Sequence, residues 1–212
     1  MRVTMPPRFV TFEGLDGSGK STHLRRAARW LRERGVEVEA TQEPGGTPLG
    51  EGIRALFLDR RWAAMDGTVE LLLLFASRRQ HLLEVIEPAL AAGRHVLCDR
   101  FTDSTRAYQG AGRGVPRAQI EAADRLATGG RRPDRTLLFD LPAAAAGGRL
   151  KPPEMDRLDA EDPAFRERVR QGYLALAAAE PARFRVIDST GEPEATARQV
   201  EAALTEALDL AP

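Results

Sequence analysis

The stretch Gly14-Leu15-Asp16-Gly17-Ser18-Gly19-Lys20-Ser21 follows the pattern G-x-x-x-x-G-K-S. A short apolar run precedes it and apolar residues at helical spacing follow it, which predicts a strand, a phosphate-binding loop and a helix. The glycines let backbone N–H groups turn toward phosphates, and the helix N-terminus favours negative charge. Lys20 is placed to reach the β- and γ-phosphates, and the Ser21 hydroxyl to bind Mg²⁺. The chain is therefore expected to bind a nucleoside triphosphate.

The composition narrows the class of protein further. The chain has 212 residues, and its 42% hydrophobic and 29% charged residues are ordinary for one globular domain over 1–212. Lysine plus arginine and aspartate plus glutamate both number 31, so there is no bulk charge to attract nucleic acid or a membrane. One cysteine excludes an internal disulfide. No signal peptide or membrane span is evident, so we expect a cytoplasmic protein that begins at Met1 or Met5.

Strand and helix patterns alternate along the chain. Strands are predicted over 8–13, 36–41, 95–99, 135–140 and 184–188. Helices are predicted over 19–34, 48–58, 67–91, 102–110, 116–128, 162–178 and 193–208. This alternation predicts an α/β protein with a three-layer P-loop NTPase fold, in which helices flank a five-stranded, mostly parallel sheet. Ligands of such sheets bind at the carboxyl ends of the strands, so the residues just after each strand are the first candidates for a site.

Two segments that follow predicted strands carry candidate phosphate and metal ligands. The run Glu43-Pro44-Gly45-Gly46-Thr47 should form a tight turn, with Thr47 as the N-cap of the next helix. Arg54 is either a phosphate ligand or a solvated helix residue. Asp99 and Arg100 end the third strand, where they are placed to organise Mg²⁺ and phosphate; a structural ion pair is the alternative.

The predicted helix over 67–91 is apolar on every face in its first half, 69–76. We expect that half to be buried all round, in part by another subunit. Arg78 follows it, and because an unpaired buried charge is costly, its partner should be a ligand or an internal carboxylate. Leu74 and Phe75 lie within one turn of Arg78, so a base could rest on an apolar side chain there and bond to the arginine.

Two further segments complete the candidate site. Ser104, Thr105, Tyr108 and Gln109 cluster on one side of a short predicted helix, which suits reading a base edge and a sugar; an ordinary polar surface helix is the alternative. The segment 142–158 is rich in alanine, glycine and proline and carries basic residues. It is interpreted as a lid that closes over a triphosphate, or else as a solvated loop. Its basic residues are Arg149, Lys151 and Arg157.

Taken together, these motifs resemble the thymidylate kinase family of P-loop nucleoside monophosphate kinases over nearly the whole chain. The motifs that carry the resemblance are Glu13–Thr22, Glu43–Thr47, Ser77-Arg78-Arg79, Asp99-Arg100-Phe101, Ala107-Tyr108-Gln109-Gly110, Arg132-Pro133-Asp134, Asp156-Arg157 and Ile187-Asp188. The resemblance implies phosphorylation of dTMP to dTDP with ATP and Mg²⁺, in dTTP biosynthesis, by a homodimer.

The resemblance also implies roles for individual residues. ATP would be held by Gly14, Leu15, Asp16, Gly17, Ser18, Gly19, Lys20, Ser21 and Thr22. For dTMP, the implied contacts are Asp16 with the 3′-hydroxyl, Arg54 and Arg100 with the phosphate, Phe75, Arg78, Thr105 and Gln109 with the thymine, and Tyr108 with C2′ of the sugar. Ser21 and Asp99 would hold the metal. Lys20, Asp99, Arg100 and Arg149 would be the catalytic group, with Lys151 as a second lid cation.

The sequence departs from the family pattern in three places that matter. The residue before Glu43 is commonly arginine in the family but is Gln42 here. The family usually stacks thymine on a phenylalanine four residues before the base-reading arginine, but that position is Leu74 here and Phe75 is one later. The P-loop has no arginine, and the segment 142–158 has few basic residues. The alternatives are therefore another deoxynucleotide or nucleoside kinase of this fold, or a catalytically weak nucleotide-binding protein. A switch GTPase is not supported, because no Asn-Lys-x-Asp motif occurs.

Overall fold

The computed structural model describes residues 6–149 and 156–210. All five strands lie parallel in one sheet, in the spatial order β2-β3-β1-β4-β5. The strands are β1 (Phe9–Gly14), β2 (Val38–Gln42), β3 (His95–Asp99), β4 (Arg135–Asp140) and β5 (Phe184–Asp188). The predicted fold class is confirmed, and each strand begins within two residues of its predicted start.

Helices connect the strands and cover both faces of the sheet. They are α1 (Lys20–Glu33), α2 (Pro48–Leu58), α3 (Gly67–His81), α4 (Glu87–Ala91), α5 (Thr102–Thr105), α6 (Arg117–Thr128), α7 (Ala143–Arg149), α8 (Pro163–Ala179) and α9 (Pro193–Ala207). Thr47 caps α2 by accepting from the Gly50 N–H at 3.0 Å, as predicted, and Asp162 caps α8 by accepting from the Phe165 N–H at 2.6 Å.

The core is divided by the sheet because successive strand residues point to opposite faces. On one face, Val10 and Phe12 of β1 pack with Leu24 and Leu31 of α1. On the other, residues of α8 such as Val169 pack in a cluster with Leu138 and Tyr108. The central strand β1 is buried along its whole length, so the loop that follows it is fixed at the middle of the sheet edge.

The helix predicted over 67–91 is interrupted. A π-helical segment, Leu82–Ile86, separates α3 from α4, and Pro88 lies in the first turn of α4. Proline has no N–H to donate and its ring crowds the preceding turn, so the regular helix gives way just upstream of it. The helix predicted over 102–110 likewise continues from α5 as a π-helical segment, Arg106–Gly112.

Within the single chain the segment 69–76 is not buried all round, and its expected burial in part by another subunit stays a prediction. Leu72 is 62% exposed and Val69 is 46% exposed, because α3 packs against its neighbours on one side only. Two short elements were not predicted: a 3₁₀ turn over Arg60–Trp62 and the helix α7 within the proposed lid. No helix among residues 6–149 and 156–210 is long and apolar enough to cross a bilayer.

Candidate active site

The loop between β1 and α1 is shaped by its glycines. Gly17 has φ +84°, and a Cβ there would lie 2.4 Å from the Ala146 carbonyl oxygen of α7. Gly14 has φ +142°, and a Cβ there would meet the Phe139 carbonyl oxygen at 2.5 Å. A side chain at either position would clash with backbone. Gly19, the N-cap of α1, offers no side chain to the helix N–H groups, which suits an incoming phosphate.

Lys20 and Asp16 form an ion pair inside this loop. Lys20 is 5% exposed, and its Nζ lies 3.0 Å from Asp16 Oδ1. Burial alone would raise the pKa of Asp16, but the charges of Arg100 and Lys20 outweigh it and hold that pKa below its usual value. Asp16 is therefore a carboxylate that accepts hydrogen bonds between two cations.

Ser21 and Asp99 offer oxygen ligands that fit a divalent metal. The Ser21 hydroxyl donates to Asp99 Oδ2. The other oxygen, Asp99 Oδ1, is buried and has no hydrogen-bond partner among the residues that the structure describes. A hydroxyl beside a carboxylate with a free, buried lone pair is a donor set suited to Mg²⁺.

Arg100 links the loop to the cavity beside it. Its Nη2 donates to Asp16 Oδ1 at 2.7 Å and to the Tyr108 hydroxyl at 3.0 Å, and its Nη1 donates to Ser104 Oγ at 2.9 Å and to the Tyr173 hydroxyl at 3.0 Å. Its backbone lies in the left-handed region, at φ +71°, which is costly for a residue with a side chain. The guanidinium is thus held in one orientation by four oxygens.

Glu13 is buried directly behind this arginine. It accepts from the Phe101 N–H at 2.8 Å, from Ser104 Oγ at 2.5 Å and from the Tyr173 hydroxyl at 2.9 Å. These contacts fix the backbone of Phe101 and the hydroxyl groups of Ser104 and Tyr173, and Arg100 donates to both of those hydroxyl groups. Burial, and next the charge of Asp103, raise the pKa of Glu13 to about 7, although Arg100 opposes the shift.

This shift predicts a pH dependence of folding. The pKa of Glu13 is about 7 in the folded protein, against an ordinary glutamate pKa of 4.5 in the unfolded chain, so the folded state binds more protons between these two pH values. The contribution of Glu13 to stability is therefore fully present below pH 4.5 and is lost as pH rises through 7, by about 3 kcal/mol in total. Urea unfolding of wild type and Glu13→Gln from pH 5 to 8 should give a flatter pH profile for the variant; identical slopes would contradict this account.

An open cavity lies against the loop, and most of the residues predicted to contact dTMP line it. Its walls are formed by the turn after β2, by α2 and α3, by residues between Arg100 and Gln109, and by Asp156 and Leu158. The lining residues are Asp16, Glu43, Pro44, Arg54, Phe57, Leu58, Leu74, Arg78, Arg100, Ser104, Thr105, Tyr108, Gln109, Asp156 and Leu158. Arg54 is oriented by a hydrogen bond from Nη1 to the Pro44 carbonyl at 2.9 Å.

The partner of Arg78 is an internal carboxylate, although the arginine also lines the cavity. Its Nε lies 2.6 Å from Glu43 Oε2, with both side chains 2% exposed, and its Nη1 donates to Thr105 Oγ1 at 3.2 Å. His81 Nδ1 lies 2.9 Å from the other Glu43 oxygen and its Nε2 lies 2.6 Å from Thr41 Oγ1, so both nitrogens of this buried histidine have internal partners. The sequence predicted that Arg78 needs a ligand or an internal carboxylate, but Glu43 was predicted only as part of a turn and was not identified as that carboxylate.

The structure corrects the assignment of Phe75 to the thymine contact. Leu74 lines the cavity, whereas Phe75 packs in a cluster with Leu71, Ile120 and Ala127 beneath α6. The Arg78 guanidinium lies 4.7 Å from the Phe75 ring centroid, so the ring supports the arginine from behind. Neighbouring helix residues are about 100° apart around the axis, and both cannot face the same wall.

The basic residues of the predicted lid fall into different environments. Arg149 is exposed at the end of α7 and donates to the carbonyl oxygens of Gly17 at 3.4 Å and Ser189 at 3.3 Å. Arg157, the third basic residue of the segment, is buried and ion-paired with Glu70, so it is a structural residue. Lys151 lies outside the described residues.

Comparison with known proteins agrees with this geometry. The model of the family described as thymidylate kinase matches residues 12–200. The chain is 50% identical over 206 residues to a thymidylate kinase of Chromohalobacter salexigens, and the match covers 96% of this chain and 97% of that protein. It is 50% identical over 200 residues to one of Cupriavidus pinatubonensis, covering 93% and 97%. The crystal structure of thymidylate kinase from Ehrlichia chaffeensis superposes with a TM-score of 0.79 at 34% identity, covering 94% of this chain and all of that one.

Proposed function

The chain belongs to the thymidylate kinase family, and from this premise we propose that its cavity binds dTMP while the adjoining loop binds ATP. The enzyme phosphorylates dTMP with ATP as the donor. One observation carries the assignment of the two sites: Asp16 is ion-paired both with Lys20 of the phosphate loop and with Arg100 of the cavity wall. The two anionic substrates would therefore meet across this carboxylate and its flanking cations.

The roles proposed for the cavity follow from charge and shape. Arg54 and Arg100 would bind the monophosphate, because both line the cavity and a guanidinium group matches phosphate oxygens. Arg78, Thr105 and Gln109 line the same cavity and would contact the thymine, which would rest on Leu74. Asp16 would accept from the sugar 3′-hydroxyl, and the Tyr108 ring would contact C2′.

Phosphoryl transfer asks the protein chiefly for alignment and for neutralisation of charge. The acceptor is already an anionic phosphate, so no strong general base is required. Lys20 and the N–H groups of 14–22 would hold the donor phosphates, and Arg100 would hold the acceptor against them. We assign Ser21 and Asp99 as ligands of Mg²⁺, which supplies further neutralisation of the phosphates when bound.

The proposal extends to the lid, the subunits and the cell compartment. The segment 142–158 would act as a lid that closes over ATP within a single domain. Arg149, which lies beside the loop at Gly17, would supply positive charge from this lid. The exposed apolar side chains of α3, Val69 and Leu72, support a homodimer that covers them. A cytoplasmic location is supported by the single free, buried thiol of Cys98.

The direct test is ADP release from ATP and Mg²⁺ with dTMP, dUMP, dCMP, dGMP, AMP and thymidine as acceptors. The proposed contacts predict the highest kcat/KM for dTMP and loss of most activity with thymidine, which lacks the phosphate that Arg54 and Arg100 would hold. Equal activity with a purine acceptor would contradict the base contacts. Equal activity with thymidine would contradict the phosphate contacts.

A further inference from the structure

Gln109 has an unusual environment for an amide that lines a ligand cavity. The residue is fully buried, and its Nε2 donates to Glu70 Oε2 at 2.7 Å. Its Oε1 is buried and has no hydrogen-bond partner within residues 6–149 and 156–210. A buried carbonyl oxygen without a hydrogen bond costs free energy unless a donor reaches it. We therefore expect a bound ligand to supply the donor for Gln109 Oε1.

Glu70 determines the orientation of the Gln109 side-chain amide. It is a fully buried carboxylate on α3, and its Oε1 contacts Arg157 Nη1 and lies 3.2 Å from Arg113 Nη2. Two guanidinium groups therefore balance its charge, and an ionised carboxylate only accepts hydrogen bonds. The oxygen left over, Oε2, is the one that Gln109 contacts. The amide must present its NH₂ to Glu70, because a flipped amide would place two oxygens against each other.

We propose that Glu70 is a positioning residue for base selection, which fixes the Gln109 amide with its oxygen toward the cavity. This inference rests on the proposed function, in which the cavity holds the base of dTMP. Thymine and uracil carry an N3–H that can donate to this oxygen. Cytosine has an unprotonated N3 that would oppose it with a lone pair. The pocket therefore selects pyrimidines with a donor at position 3.

The effect on discrimination follows from the same geometry. A site built to receive a substrate N–H rejects an analogue that lacks it strongly, because its own polar atom is then left unpaired. If Glu70 is replaced by glutamine, its side chain can donate as well as accept, and Gln109 becomes free to turn its NH₂ toward the cavity. An NH₂ there would suit cytosine N3 and oppose thymine N3–H.

The test compares kcat/KM for dTMP and dCMP in wild type, Glu70→Gln and Glu70→Asp. We expect the dTMP-to-dCMP ratio to fall at least tenfold in Glu70→Gln. The aspartate variant keeps the charge that Arg113 and Arg157 need for folding but withdraws its oxygen from Gln109, and its ratio should fall in the same direction. Thermal melting identifies the folded variants. In a Gln109→Leu background, Glu70→Gln should leave the ratio unchanged, because Glu70 acts through that amide.

Glu161→Gln is the matched control, since Glu161 lies 2.6 Å from the same Arg113 Nη2 but makes no hydrogen bond with Gln109 among the residues described. Its ratio should match wild type. An unchanged ratio in either folded Glu70 variant, with both rates lowered equally, would overturn the positioning role and leave Glu70 as a structural ion pair. Failure of wild type to prefer dTMP over dCMP would instead contradict the proposed function itself.

Discussion

Replacing Lys20 by alanine is expected to lower kcat by about 10²- to 10³-fold while the fold remains intact. Lys20 would contact the donor phosphates, and its Nζ lies 3.0 Å from Asp16 Oδ1. Removing it takes away a fixed positive charge from a mostly buried site. Asp16 keeps its partner Arg100 at 2.7 Å, so no buried carboxylate is left alone. Initial rates at saturating ATP and dTMP measure the loss.

Arg29→Ala is the matched control for Lys20→Ala, because Arg29 is a cation of the same helix whose side chain is 74% exposed. Its kcat should equal that of wild type. Thermal melting should give similar curves for all three proteins. Near-normal turnover by a folded Lys20→Ala variant would contradict the assignment of the loop 14–21 as the phosphate-binding site.

Arg100→Lys is expected to lower kcat/KM for dTMP by about 10²-fold or more. Lysine keeps the charge but cannot reproduce a planar group that contacts Asp16, Ser104, Tyr108 and Tyr173 together. The ammonium would satisfy only some of these oxygens, and the cation would no longer be fixed toward the acceptor phosphate. Steady-state kinetics with dTMP as the varied substrate measure the effect.

Arg131→Lys controls for a general effect of exchanging arginine for lysine. Arg131 forms a two-point contact with Glu87 at 2.7 Å, and both side chains are about two-fifths exposed. This variant should keep wild-type kinetics and melting. The account of Arg100 would be contradicted if Arg100→Lys, folded and stable, retained the wild-type kcat/KM for dTMP.

Local sequence determined the fold and much of the site. The spacing of glycines and Lys20 predicted the loop between β1 and α1, and the alternation of strand and helix patterns predicted the parallel sheet. Because the carboxyl ends of parallel strands meet at one edge, Asp99 and Arg100 could be expected to lie beside the P-loop. In the structure Asp99 contacts Ser21 at the end of the loop, and Arg100 contacts Asp16 and Tyr108. The roles of Asp99 and Arg100 toward substrates stay predictions.

Contacts between distant segments could not be predicted in the same way. Glu43 and Arg78 are separated by 35 residues and Glu70 and Arg157 by 87, and no local pattern links such pairs. A buried arginine requires an anion, but the sequence does not say which carboxylate supplies it. The choice between Leu74 and Phe75 failed for another reason: the side of α3 that faces the cavity depends on how the helix packs against α6, which periodicity in an apolar run does not reveal.

A crystal structure of the protein with bound dTMP would test the central claim most directly. The account predicts the phosphate between Arg54 and Arg100, the 3′-hydroxyl at Asp16, and the thymine against Leu74 with its edge toward Arg78 and Gln109. A nucleotide bound in the opposite direction, with its phosphate at Arg78, or bound outside this cavity, would contradict it.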